Sequence, residues 1–179
     1  MRRLFLSPHQ DDESLFGAYT LMREKPMVLF CTTPIIQEKK GLEASMSQRL
    51  SESAAAMRVL GLDFNTLPIM DEDLNEEDLE FELSGFVGLY SHVYAPAIEG
   101  YQKQHDMVGR VAEKLWPGNV THYKTYTEHD FHTVGKISIV PTQEEMDLKN
   151  KALDCYTSQI RYNSPHFDAV RNQPEYYEN

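Results

Sequence analysis

Short apolar runs alternate with amphipathic helical stretches along most of this chain, and that alternation restricts its fold more than any other feature. Strand-like runs stand at 3–7, 27–32, 63–70, 92–96, 120–126 and 136–140. Between them, apolar residues recur at helical spacing over 13–24, 43–60, 77–90, 106–115 and 143–160. Pro26, Gly61 and Pro117-Gly118 punctuate the pattern, and Thr142 stands where an N-cap belongs. Strands and helices in strict succession predict a mostly parallel sheet with helices on both faces, a Rossmann-like three-layer α/β/α arrangement. Residues 1–179 are expected to form one domain, with 163–179 as a polar, loop-like C-terminal tail. Residues 33–42 read as an exposed loop. With 71–76 and 127–135 they are expected to shape a pocket.

In open parallel sheets, ligands bind beyond the carboxyl ends of the strands, where the strand order reverses. Two polar clusters fall at such ends: Pro8-His9-Gln10-Asp11-Asp12-Glu13 after the first strand, and Gln102 to Asp106 after the fourth. His9 and Asp12, three apart on a strand-to-helix turn, can point at one ion. An imidazole nitrogen with a carboxylate oxygen suits zinc. Asp11 between them is free to take a proton from water that a metal has made acidic. The same acids would also serve as ordinary N-terminal chemistry for a helix, and the residues alone leave both readings open.

Lys and Arg number 17 against 28 Asp and Glu, a formal net charge of −11. A chain so acidic repels polyanions, which argues against nucleic acid as a partner. The run Asp71-Glu72-Asp73 with Glu76-Glu77-Asp78 reads first as a solvated loop and helix start. No apolar run has the length of a membrane-spanning helix, so membrane insertion is not expected. Cys31 and Cys155 form no metal pattern and read as reduced, buried thiols of a cytoplasmic protein.

The run Pro8-His9-Gln10-Asp11-Asp12-Glu13 resembles the opening signature of the PIG-L/LmbE-like deacetylases, with the usual second proline replaced by Gln10. The resemblance extends to Arg49, Glu52, Ala56, Leu60 and Gly61, and to Lys149, Ala152, Leu153, Tyr156, Ser158 and Gln159. It implies a zinc-dependent enzyme that removes N-acetyl groups from glucosamine-containing substrates. By this resemblance His9, Asp12 and His105 would hold zinc or another divalent metal, and Asp11 would be the general base. Arg49 would face the substrate, unless it pairs with Glu52 one turn away. Asp71 would bond a sugar hydroxyl.

The family's second motif, His-x-x-His, stands here as Gln102-Lys103-Gln104-His105. Gln102 replaces a histidine that stabilises the oxyanion or protonates the leaving amine. Glutamine can donate a hydrogen bond but supplies no proton at neutral pH. His129 and His132 are candidates for a relocated acid, against the plainer reading of a polar surface loop. The expected partner is a small acetylated sugar, and the reading admits a homo-oligomer. Two alternatives stand beside it: a metal-retaining, sugar-binding accessory protein without deacetylase activity, and a hydrolase acting on another amide or ester.

Overall fold

The computed structural model of the protein describes residues 2–34, 37–39, 42–130 and 134–178. Strand β1 (Arg3–Ser7) leads into helices α1 (Asp12–Phe16) and α2 (Ala18–Glu24), then strand β2 (Met27–Phe30). An antiparallel pair, β3 (Gln37–Lys39) and β4 (Leu42–Ala44), precedes helix α3 (Met46–Leu60) and strand β5 (Phe64–Thr66). After a 3-10 turn at Asp71–Asp73 come α4 (Glu76–Ser84), β6 (His92–Pro96), α5 (Lys103–Leu115) and β7 (Val120–Tyr123). The chain continues through β8 (Ile137–Ile139), α6 (Gln143–Leu153), α7 (Thr157–Val170) and β9 (Glu175–Glu178). Among the described residues no helix is long and apolar enough to cross a membrane.

Seven strands form one sheet in the order β5-β2-β1-β6-β7-β9-β8. The first five are parallel, as the alternation predicts, and β9 runs antiparallel to both of its neighbours. Successive side chains on a strand face opposite ways, so β1 divides its residues between two cores. Phe5, with Val28 and Phe30 of β2, packs under α1, α2, α3, α6 and α7. Leu4, Leu6 and Leu29 pack under α4 and α5. Strand order reverses at β1: β2 lies on one side of it, and β6 on the other.

Several boundaries differ from the sequence expectation. The helix predicted over 13–24 breaks at Gly17, where a Cβ would stand 2.3 Å from the Phe5 ring. The stretch 143–160 likewise divides, with α6 ending at Leu153 and α7 starting at Thr157. Thr142 does cap α6, in a reciprocal capping box with Glu145. The helix expected from 106 begins at Lys103, which puts Gln104 and His105 in its first turn. The helix expected to reach 90 stops at Ser84. Within the expected loop 33–42, β3 and the start of β4 form strand instead.

The largest correction concerns the predicted tail. Residues from 163 onward complete α7 and then enter the sheet as β9. Polarity misled here because Glu175 is buried for a structural purpose. It accepts hydrogen bonds from the backbone N–H groups of Tyr19 and Thr20 at the start of α2, and it pairs with the fully buried Lys149 at 3.1 Å.

Candidate metal centre

β1 and β6 are neighbours, so their carboxyl ends deliver both polar clusters to one place. The turn after β1 carries His9, Asp11 and Asp12, and the first turn of α5, after β6, carries His105. A glycine permits that docking: a Cβ on Gly109 would lie 2.6 Å from the Pro96 carbonyl, so α5 approaches β6 closely only with glycine there. Asp106 ties the preceding loop to α5 by accepting from the Glu99 and Gly100 N–H groups.

His9, Asp12 and His105 converge into a cluster able to hold a metal ion, with candidate donor atoms all within 4.8 Å of one another. His9 Nδ1 lies 3.1 Å and His105 Nε2 3.2 Å from the same oxygen, Asp12 Oδ2. Donors that sit about 2.0–2.2 Å from a tetrahedral ion are separated by roughly 3.3–3.6 Å, close to the spacing found.

The outer hydrogen bonds of each histidine show which nitrogen is free to coordinate. Gln104 Nε2 donates to the Asp71 carbonyl at 2.7 Å and to Asp71 Oδ1 at 3.1 Å. That carbonyl can only accept, so the amide orientation is fixed and Gln104 Oε1 faces His9 Nε2 at 2.6 Å. Asp71 Oδ1 lies 3.2 Å from the same nitrogen. His9 Nε2 therefore carries hydrogen, and Nδ1 is the nitrogen that faces Asp12 Oδ2. On the other histidine, Thr125 Oγ1 donates to the Glu99 carboxylate at 3.1 Å, which leaves the hydroxyl oxygen to accept from His105 Nδ1 at 3.4 Å. His105 Nε2 is buried and faces Asp12 Oδ2. His9 Nδ1 and His105 Nε2 thus face one carboxylate oxygen, an arrangement that a cation, proton or metal, satisfies.

The electrostatics agree. Burial would lower the pKa of His9, yet its bonds to Asp12 and Asp71 outweigh it and hold it well above the ordinary value. Burial would raise Asp12, but the His105 and His9 imidazoles hold its carboxyl far below the usual range. Asp11 goes the other way. Burial and the neighbouring Asp12 carboxylate raise its pKa well above that of an ordinary carboxyl, with Arg49 offsetting part of the rise. Its backbone is strained as well, with φ 140° and ψ −28°.

These groups line a cavity of about 260 Å³ that also exposes Arg49, Asp71, Gln102 and Gln104. Arg49 does not pair with Glu52 among the described residues. Its Nη2 donates to the Gln10 carbonyl at 3.3 Å and its buried Nε has no hydrogen-bond partner, while Glu52 receives the Ser158 N–H and the Thr157 and Ser158 hydroxyls. Asp71 orients His9 and Gln104 through Oδ1 while lining the same cavity. His129 is 88% exposed on a surface loop, as its plainer reading has it, and His132 lies outside the described residues. Cys31 and Cys155 are free thiols, but Cys155 is part-exposed rather than buried.

Tyr126 and His166 also line the cavity, and the sequence reading did not single them out. The rule that pointed to β1 and β6 would have found Tyr126 beyond the carboxyl end of β7. His166 had no local signal, because its helix was read as loop.

The PIG-L family model, described as GlcNAc-PI de-N-acetylase, matches residues 4–116. No curated protein sequence matches the chain. Among solved structures, the conserved protein TT1542 from Thermus thermophilus superposes with a TM-score of 0.75 at 20% identity, covering 100% of this chain and 94% of its own. GalB, the 4-carboxy-2-hydroxymuconate hydratase from Pseudomonas putida KT2440, gives 0.74 at 15% identity, with 99% and 95% covered. The zinc-inhibited form of teicoplanin deacetylase Orf2 gives 0.71 at 15% identity, with 99% and 97% covered. These likenesses establish a shared α/β fold.

Proposed function

The chain belongs to the PIG-L family, and from that premise we propose that it is a zinc-dependent N-deacetylase acting on a glucosamine-containing or related acetylated sugar. The observation that carries this reading is the convergence of His9 Nδ1 and His105 Nε2 on Asp12 Oδ2, in a cavity that Asp11 also lines. His9, Asp12 and His105 would hold the metal. When bound, zinc supplies a Lewis acid that polarises the acetyl carbonyl and makes water easier to deprotonate.

The residues of the chain supply the rest. Asp11 takes the proton of the attacking water on its carboxylate. Water's oxygen joins the acetyl carbon, the C–N bond breaks, and Asp11 returns the proton to the departing amine, giving acetate and a free amino sugar. Its place in the cavity beside Asp12 suits both halves of that task. Arg49, with an unsatisfied buried Nε at the cavity, binds the substrate. Gln102 stands where family members carry a histidine, and its amide can donate a hydrogen bond on this side of the cavity but supplies no proton. A cytoplasmic location accords with the free thiols.

Purified protein should hold about one zinc per chain and release acetate from N-acetylglucosamine conjugates. Asp11→Ala should lose that activity and keep its zinc; an unchanged rate would remove the role given to Asp11. Gln102 also favours a second reading, a metal-binding accessory protein that binds sugar without hydrolysing it. Activity created by Gln102→His in an inactive parent would select that reading, and an active parent excludes it. The hydratase among the structural neighbours is a reminder that one fold hosts different water chemistries. A panel of acylated substrates separates a hydrolase of another amide or ester from the N-deacetylase.

A further inference from the structure

The histidine missing from the second motif leaves one side of the cavity without its usual donor, and the structure fills that side from another strand. Tyr126 stands beyond the carboxyl end of β7 and lines the cavity together with Asp11 and Asp12. Gln102 Nε2 donates to its hydroxyl oxygen at 3.1 Å. A phenol that accepts through its oxygen keeps its own hydrogen to donate. Among the described residues Gln102 is the hydrogen-bond partner of that hydroxyl, so its hydrogen is available to a ligand in the cavity.

The ring is held on several sides. It meets His105 edge-on at 5.5 Å and 75°, and His166 at 4.3 Å and 82°. Phe16 and Tyr101 lie 5.9 Å and 6.0 Å away. The contact with His105 ties the position of Tyr126 to the metal cluster itself. A donor fixed before the substrate arrives costs no reorganisation during reaction, which is what stabilisation of a developing oxyanion requires.

We propose that Tyr126 is a catalytic residue of this enzyme, donating its hydroxyl hydrogen to the acyl oxygen as that oxygen becomes negative, and that Gln102 is the positioning residue that orients it. The phenol remains protonated throughout; it contributes a hydrogen bond, and Asp11 alone moves the proton. Glutamine at 102 is then half of a two-residue replacement for the lost histidine rather than a simple loss. The inference rests on the deacetylase reading for its substrate, but its geometry concerns any tetrahedral oxyanion formed in this cavity.

Two measurements on the zinc-loaded protein test it. The first is turnover of an N-acetylglucosamine conjugate. Tyr126→Phe keeps the ring and its packing, and should lower kcat by about 10²-fold with KM within about threefold, since a single oxyanion donor has an effect of that order. Gln102→Leu should lower kcat by a smaller factor, and Gln102→His, which can again donate to the phenol, should restore part of it. The second is binding of methylphosphonate, a tetrahedral stand-in for the hydrated acetyl group, followed by calorimetry. Tyr126→Phe should weaken it about tenfold or more, the cost of one hydrogen bond to a charged group, with zinc content and melting temperature unchanged. A parent that binds zinc but hydrolyses no N-acetyl sugar would defeat the deacetylase reading and leave the phosphonate comparison to decide Tyr126. Retention of both kcat and methylphosphonate affinity within twofold in Tyr126→Phe would overturn the proposal.

Discussion

Asp11 is asked to satisfy two demands that conflict. Its φ of 140° is one that residues with a Cβ rarely adopt, and holding it there costs of order 1–3 kcal/mol. Glycine relieves that strain, less the extra freedom glycine brings to the unfolded chain. Asp11→Gly should therefore raise the urea midpoint, by about 1 kcal/mol of stability, while abolishing acetate release. A fall in stability would show that the backbone strain is not what limits this site. Gln104 makes a second case. It touches no reacting atom, yet its amide sets which nitrogen of His9 is free. Gln104→Leu should weaken zinc affinity about 10–100-fold in competition with a chromophoric chelator, the usual cost of losing a group that orients a metal-binding histidine. A sequence could not assign that task to Gln104, because the partner that fixes the amide, Asp71, is 33 positions away.

At the scale of elements, what was legible followed local rules. The parallel strands, the Thr142 cap and the position of the His9–Asp12 turn all came from periodicity and from the strand-end rule. What was not legible depended on contacts between distant segments. Glycine at 17, where α1 gives way to α2, is required by the ring of Phe5, twelve positions earlier on a strand beneath it. The split between α6 and α7 lets Glu52, from α3, meet the first residues of α7. Residues 163–178 look like a surface tail because polar residues such as His166 and Glu175, both buried here, read as exposed. Lys149 and Glu175 are the plainest example: both are almost wholly buried, 3.1 Å apart, and Glu175 also receives two N–H groups of α2. Removing one member leaves the other as an uncompensated buried charge. Lys149→Met should lower stability by about 3–5 kcal/mol in urea titration, whereas a loss under about 1 kcal/mol would mean that the backbone donors alone satisfy Glu175.

For the whole molecule, acid sensitivity should have a recognisable component from His166. Burial pushes its pKa down to about 4, so between that value and the ordinary 6.5 the unfolded chain binds a proton that the native one does not. Stability from this group is fully present above pH 6.5 and declines as pH falls toward 4, by up to roughly 3 kcal/mol in metal-free protein. His166→Phe should flatten that limb of the stability profile; an unchanged slope would assign it to other groups.

Strand β9 governs the order in which this protein can assemble. It lies between β7 and β8, so β8, although earlier in the chain, has no neighbour in the sheet until β9 arrives. The same segment brings Glu175 to the start of α2, across 156 positions. Closing so long a loop must precede the contacts that reward it. A nascent or refolding chain therefore keeps one edge of its sheet and the amino end of an early helix provisional until its last strand docks, and the fold is finished from both ends at once.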